Sequence, residues 1–329
     1  MNMRARPGRI MTSALLAAAL LAGCTGAMAE SSWLAEHDRD HPRVGDWLNA
    51  RGEAVPIDAP APARVQDAKV VLLGEVHGHP DHHRRQLQVI EWLSAEGRAP
   101  TLAFEIFDRD DREAIEAFRA EGEQDADLLA ERLQISERGW PWDAYRPLVQ
   151  YALDHDLPIL PLNLSRRDAQ AIMRGGMAAL PENELLETAM KGAPPFSSSV
   201  TDAWAEDVIK AHCGHIGQDT ARAMVSAQQV RDAVMATNLA TADQLPVVVM
   251  TGAEHARRDR GIAHWLPQLR PDWQLVSIGM RPVLPERQAV DDYREVAARY
   301  DWTWLTPRQY AEDPCERMKK QLERLKQAD

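Results

Sequence analysis

The sequence predicts an α/β fold, in which a mostly parallel β-sheet is flanked by helices and carries a helical insertion or cap. Two observations lead to this fold class. Five short apolar runs lack polar alternation, which is typical of strands buried on both faces of a sheet. Helical patterns separate the runs, and strands that alternate with helices favour a parallel sheet. The runs are Val70–Leu73, Thr101–Phe104, Pro158–Leu162, Val247–Met250 and Leu275–Ile278.

Three helices are predicted between the first three runs. The first begins at Pro80, a residue favoured at the first helical position, and its apolar stripe ends near Gly97. Asp108 is expected to cap the second helix, and residues 142–153 form the third.

The interval between the third and fourth runs is too long for one crossover connection. Residues 164–242 therefore form the predicted helical insertion, within an α/β domain that covers residues 67–329. The tail, residues 314–327, is predicted as a charged amphipathic helix. Four helical patterns occupy the insertion: Asp168–Met177, Glu184–Met190, Trp204–Ala211 and Arg222–Ala240.

Residues 1–23 have the pattern of a secretory signal peptide. A start with three arginines precedes a short apolar core, which is too short to span a bilayer as a permanent helix. Cys24 follows small residues, as in a bacterial lipobox, where the cysteine is diacylated and becomes the mature amino terminus. The sequence thus predicts an exported lipoprotein that is anchored in a membrane through Cys24 and faces the periplasm, with the outer membrane as its expected location.

Residues 24–66 are interpreted as a tether that holds the globular domain away from the membrane. From residue 30 onwards the segment is rich in alanine, proline and charged residues. Within it, Val44, Trp47 and Leu48 are expected to dock as one helical turn.

The charge of the chain argues against one class of partner. Removal of residues 1–23 takes away three arginines and no acid, and changes the formal net charge from −12 to −15. A body this acidic repels phosphate backbones, so nucleic acid is not an expected partner. The sequence also lacks a dinucleotide-binding glycine motif, a Walker loop, a serine-hydrolase elbow and a zinc-protease helix.

The spacing of Cys213 and Cys315 leaves open whether they form a disulfide.

Carboxylates and imidazoles follow the carboxyl ends of the predicted strands, which is where ligands bind in parallel sheets. The first run ends in Glu75 and His77, the second in Glu105, and the fourth in a turn that contains His255. Such residues, brought to one edge, could hold Mn, Co, Zn or Fe, and could also perform general acid–base catalysis. These four are therefore the candidate metal ligands and catalytic residues.

Four of the eleven histidines lie between residues 77 and 83. His79 and His82 are interpreted as structural, with His79 at a helix start and His82 on the flank of the helix. His83 falls on the inward face of that helix, between Leu87 and Ile90. It could fill the core or support Glu75 and His77 from behind.

A second group of candidates lies in the insertion. His212, Cys213 and His215 could ligate a metal or contact a haem, or could merely close a loop. Arg231 and Asp232 could form a surface ion pair. If buried over the crevice, they could instead bind a carboxylate.

These residues resemble those of the ChaN family of haem-binding uptake lipoproteins, within the Tiki and erythromycin-esterase-like superfamily. The resemblance covers roughly residues 68–280, in order, and the lipobox agrees with it. The matching segments are Leu72–His77 with His82, His83 and Gln86, then Phe104–Glu105, Trp142–Tyr145, Pro161–Asn163, His212–Cys213, Ala227–Ala236 and Thr251–His255. Glu254 is a departure from the pattern, because an uncharged residue is expected at that position.

The resemblance implies an α/β core that binds haem, with a role in iron acquisition. The candidate cofactor-binding residues are His77, His83, Tyr145, His212, Arg231 and His255. Tyr145 is the candidate axial ligand, because tyrosinate can hold ferric haem and this tyrosine lies inside a matching segment.

Three hypotheses follow. The first is a lipid-anchored haem-binding protein, with haem over the crevice and a homodimer as one possible arrangement. The second is a metal-dependent hydrolase, in which Glu75, His77 and His255 activate a metal-bound water and Glu105 is the general base. The third is a degenerate relative in which the same residues serve only the fold.

Overall fold

One eight-stranded sheet organises the computed structural model, which describes residues 33–55, 65, 67–95, 97–176, 184–194 and 196–328. The strand order is β2-β1-β8-β7-β3-β6-β4-β5. The strands are β1 (Trp47–Asn49), β2 (Ala54–Val55), β3 (Val70–Glu75), β4 (Thr101–Asp108), β5 (Ile159–Asn163), β6 (Val247–Gly252), β7 (Leu275–Pro282) and β8 (Trp302–Thr306).

The six strands from β3 to β8 are all parallel, and β3 lies between β6 and β7. Their order differs from the order of the chain, and each crossover between consecutive strands carries at least one helix over a face of the sheet. The predicted fold class is confirmed, and the five apolar runs correspond to strands β3 to β7, except that Pro158 precedes β5.

The edge of the sheet formed by β2 and β1 differs from the expectation. Trp47 and Leu48 form a strand rather than a helical turn, and this strand pairs antiparallel with β8. Both side chains are buried, and the rings of Trp47 and Trp304 lie 4.4 Å apart. Residues 33–55, within the predicted tether, therefore contribute to the sheet and its core.

Eleven helices lie in the described part of the chain. They are α1 (Pro80–Ala95), α2 (Arg112–Ala120), α3 (Ala126–Arg132), α4 (Trp142–Asp154), α5 (Arg166–Gly175), α6 (Glu184–Gly192), α7 (Ser198–Ala211), α8 (Gln218–Leu239), α9 (Ile262–Leu269), α10 (Arg294–Ala297) and α11 (Pro314–Ala328). Asp108 precedes a 3-10 turn that leads into α2. Helices α5 to α8 form the insertion between β5 and β6.

Alternate residues of the central strands face two cores. Val71 and Leu73 point to the face covered by α1 and α4, whereas Val70 and Leu72 point to the face covered by α8 and α9. The absence of polar alternation in the sequence thus reflects burial on both faces.

A disulfide joins the insertion to the C-terminal helix. Cys213 follows α7 and bonds to Cys315 at the start of α11, with a Cα–Cα distance of 5.4 Å. The pairing that the sequence left open is therefore formed, and it fixes the connection between α7 and α8.

The predicted signal peptide and the lipidation candidate Cys24 lie outside the described residues. Among the helices that the structure describes, none combines the length and apolar character that crossing a bilayer requires.

Candidate functional site

The carboxyl edge of the sheet gathers the four residues predicted at strand ends. Glu75 ends β3, Glu105 lies on β4, and His77 and His255 follow β3 and β6. The Oε1 atom of Glu105 lies 4.0 Å from His77 Nε2 and 3.5 Å from His255 Nε2. These strands are neighbours in the sheet, so residues far apart in sequence meet at one place.

Glu75 is buried beneath this edge and is bonded through both oxygens. Its Oε1 accepts a short hydrogen bond from the Tyr145 hydroxyl and lies 2.9 Å from His77 Nδ1. Its Oε2 accepts a hydrogen bond from Gln86 Nε2 at 2.6 Å and lies 3.3 Å from His83 Nδ1. Burial disfavours the carboxylate, but His83 and His77 outweigh it and lower the pKa of Glu75. The charged carboxylate therefore orients the ring of His77.

Glu105 is equally buried, and its hydrogen bonds come from β6. Its Oε2 accepts hydrogen bonds from Thr251 Oγ1 at 2.8 Å and from the Gly252 backbone N–H at 2.7 Å. Burial again disfavours the charge, but His255 and His77 outweigh it and lower the pKa of Glu105 to about 2. The floor of the site therefore carries a fixed negative charge at neutral pH.

His77 is the exposed member of the group, with 41% of its side chain accessible. Its Nε2 makes no hydrogen bond within the described chain, and Trp140 packs edge-on against the ring at a centroid distance of 5.0 Å. Gly252 makes room for it, because a Cβ there would lie 3.0 Å from Nε2. Burial lowers the pKa of His77, but Glu105 and Glu75 outweigh it and raise the pKa to about 9.

His255 lies between two carboxylates. Its Nδ1 is 2.6 Å from Asp232 Oδ1 on α8, and its Nε2 faces Glu105. Burial lowers the pKa of His255, but Asp232 and Glu105 together raise it. Asp232 is thus buried and engaged with His255 rather than paired with Arg231 at the surface. Arg231 is half-buried, makes no hydrogen bond or ion pair within the described residues, and acts electrostatically on Glu105.

His83 and Tyr145 lie behind the site. His83 is buried, contacts Glu75, and packs edge-on against Tyr145 at 4.3 Å, so it supports the site from within the core. Tyr145 does not suit the predicted role of axial ligand. Its hydroxyl is directed to Glu75, and burial together with that carboxylate raises its pKa well above 10, which disfavours tyrosinate.

His79 and His82 serve the fold, as expected. His79 Nε2 lies 3.0 Å from the Pro307 carbonyl oxygen, and His82 Nε2 lies 3.0 Å from Thr306 Oγ1. The two rings stack at 3.9 Å. His82 is fully buried, however, and not on a helix flank, because β8 covers that side of α1.

His212 makes no hydrogen bond to the residues around His77 within the described chain, but it lines a cavity that His255 also borders. It follows α7, and its Nδ1 donates to the Val208 carbonyl oxygen at 2.8 Å. The neighbouring Cys213 is consumed by the disulfide and cannot ligate a metal.

The arrangement does not favour the divalent-metal alternative. No group of three or more His, Cys, Asp or Glu side chains within the described ranges is placed to hold a metal ion. Both Glu75 and Glu105 instead accept hydrogen bonds from neighbouring donors. The carboxylates that would ligate the metal are already used in positioning the histidines.

A family model described as haem-binding uptake, Tiki superfamily, ChaN matches residues 61–266. None of the curated proteins compared with the chain matches it.

Solved structures provide further likenesses. One, described as cofacial haem binding to ChaN of Campylobacter jejuni, is 19% identical, has a TM-score of 0.63, and matches 79% of this chain and 95% of its own. At that identity the likeness establishes the fold alone. An erythromycin esterase, EreC, in its open conformation is 8% identical with a TM-score of 0.42, and matches 82% of this chain and 99% of its own.

Proposed function

Because the chain belongs to the ChaN family of haem-binding uptake proteins in the Tiki superfamily, we propose that it binds haem around His77, at the carboxyl edge of the sheet. The observation that carries this assignment is the His77 ring. It is accessible, it is held from below through Nδ1, and its Nε2 makes no hydrogen bond within the described chain.

The surroundings of His77 suit a flat, partly charged ligand. Trp140 packs beside the ring, and the side chain of Val76 is 38% exposed, so apolar surface borders the imidazole. Arg231 provides a cation without an ion-pair partner in the described chain, suited to a propionate. Haem, when bound, supplies an iron that accepts a nitrogen ligand and two carboxylates that accept cations.

The residues beneath His77 position it and govern its proton. Glu75 and Tyr145 both contact Nδ1, at 2.9 and 3.0 Å, and so fix the plane of the ring. Glu105 stabilises a proton at Nε2. Since His77 has a pKa of about 9, this proton must leave to solvent before Nε2 can act as an iron ligand.

A haem titration followed by the Soret band tests this proposal. The wild-type protein should show a saturable shift, and His77→Ala should weaken haem affinity by about tenfold or more. The control is His155→Ala, an exposed histidine that precedes β5 at the opposite edge of the sheet. Tyr145→Phe should keep a histidine-type spectrum. If His77→Ala binds like the wild type, the site is not at His77.

The cellular setting is also a proposal, and the sequence of residues 1–24 supports it. The protein would be an exported lipoprotein in haem uptake, acylated at Cys24 and facing the periplasm from the outer membrane. Mass spectrometry of the mature amino terminus should find a diacylated Cys24, and Cys24→Ala should abolish the modification.

A homodimer is the proposed bound state. Light scattering should show the mass double with haem, and an unchanged mass would contradict it.

A further inference from the structure

A cavity of about 320 Å³ lies between the insertion and the sheet edge, and we call it the insertion pocket. Trp204 on α7, Gln228 on α8, Arg260 in the loop after β6 and Arg281 on β7 are among its lining residues. His255 also borders it, whereas His77 is not among the described residues that do. Its volume is at the lower end of the roughly 300–1,000 Å³ typical of small-ligand sites.

One arginine of the pocket is built into its wall. Arg260 is buried, stacks over Trp204 at 4.5 Å and forms ion pairs with Asp207 and Glu254. Burial disfavours the Glu254 carboxylate, but Arg257 and Arg260 outweigh it and lower the pKa of Glu254 to about 2. Asp207 and Glu254 are therefore already paired with arginines, and the third acid of the wall, Asp232, is paired with His255. The Nε of Arg260 nonetheless remains buried without a hydrogen-bond partner in the described chain.

Two further groups at the pocket lack partners in the described chain. Arg281 makes no hydrogen bond or ion pair there, and its charge acts on Glu254 only from a distance. The Oε1 of Gln228 is buried and accepts no hydrogen bond. Buried polar atoms are rarely left unsatisfied, because each costs free energy of desolvation. The pocket therefore offers two cationic donors and one acceptor.

Apolar side chains complete part of the wall. Trp204, Val208 and Met224 line the pocket beside its polar groups, which also include His212, Asp232 and Arg299. A ligand that satisfies the three unpartnered groups would need an anionic end for the two arginines, a hydroxyl donor for Gln228 and a short carbon skeleton.

We propose that the insertion pocket binds a small free hydroxycarboxylate. Its carboxylate pairs with Arg281 and the Arg260 Nε, its hydroxyl donates to Gln228, and its carbon skeleton lies against Trp204. The site is distinct from the proposed haem surface at His77 and does not depend on haem binding.

Calorimetry on the purified protein at neutral pH tests the proposal, with malate, succinate, citrate and inorganic phosphate as probes. Malate or citrate should bind saturably, and Arg281→Gln should lower that affinity about tenfold or more. Arg294→Gln, which removes an exposed charge paired with Asp291, should leave it unchanged. Gln228→Leu should remove the preference of the protein for malate over succinate. Circular dichroism should show that each variant is folded.

Three results would overturn this inference. They are no saturable binding of either hydroxy acid at millimolar concentration, equal binding of phosphate, or wild-type affinity in Arg281→Gln. A parallel titration with haem distinguishes a free acid from a haem propionate as the source of the carboxylate. If haem saturation abolishes malate binding and Arg281→Gln weakens haem affinity, the pocket holds a haem propionate and not a free acid. If malate binds while haem does not, the proposed hydroxycarboxylate site is supported and the proposed haem-binding function is contradicted.

Discussion

Replacement of Glu105 by glutamine should lower the pKa of His77. The carboxylate Oε1 lies 4.0 Å from His77 Nε2. Two unit charges at that distance interact by about 4 kcal/mol at an effective dielectric constant of 20, and by about 1 kcal/mol in water. Because 41% of the His77 side chain is exposed, solvent screening places the effect near the lower value. One pKa unit corresponds to about 1.4 kcal/mol, so a fall of about one unit from about 9 is expected.

Nuclear magnetic resonance of the imidazole nitrogens against pH measures this directly. Glutamine retains a carbonyl oxygen that can accept from Thr251 and Gly252, which preserves the local fold. The control is Glu254→Gln, another rim carboxylate with a pKa of about 2, which pairs with arginines and should leave His77 unchanged. A His77 pKa that stays near 9 in Glu105→Gln, or starts near 6.5 in the wild type, would refute the electrostatic argument.

Three further predictions concern stability. As the pH falls from 4.5 to 2, protonation of Glu105 should lower the free energy of unfolding by on the order of 3 kcal/mol, because its folded pKa of about 2 lies below the unfolded value of 4.5. Urea unfolding at both pH values measures this loss, and equal stability at the two would contradict the prediction. Gly279→Ala should lower the free energy of unfolding by about 1–3 kcal/mol, because the added Cβ would lie 2.5 Å from the Tyr300 ring. Thermal unfolding measures the effect, and an unchanged melting temperature would contradict this packing argument. Cys213→Ser with Cys315→Ser should lower stability by about 2–4 kcal/mol without reductant, and the variant should be indifferent to reductant.

The central strands were predictable because their burial on both faces leaves a signal within a few residues. The edge strands carry no such signal. β1 pairs locally with β2, but its place in the sheet comes from its pairing with β8, which sets Trp47 opposite Trp304 near the other end of the chain. A three-residue strand has no periodicity that could distinguish it from a helical turn.

Part of the site was likewise predictable from the sequence. The convergence of Glu75, Glu105 and His255 follows from the parallel sheet, in which carboxyl ends share one edge. The partner of His255 depends on how α8 packs over that edge, and sequence spacing does not report such packing. Gln86 did have a signal, because it lies three residues after His83 and therefore shares its helix face.

The acidic floor beneath His77 sets the character of the proposed haem site. Glu75 and Glu105 hold the ring in place, but they also stabilise the proton at Nε2, so haem bound through that atom must displace it. Affinity therefore falls about tenfold for each unit by which the pKa exceeds the pH. On the proposed function, acidification should therefore promote the release of haem from His77.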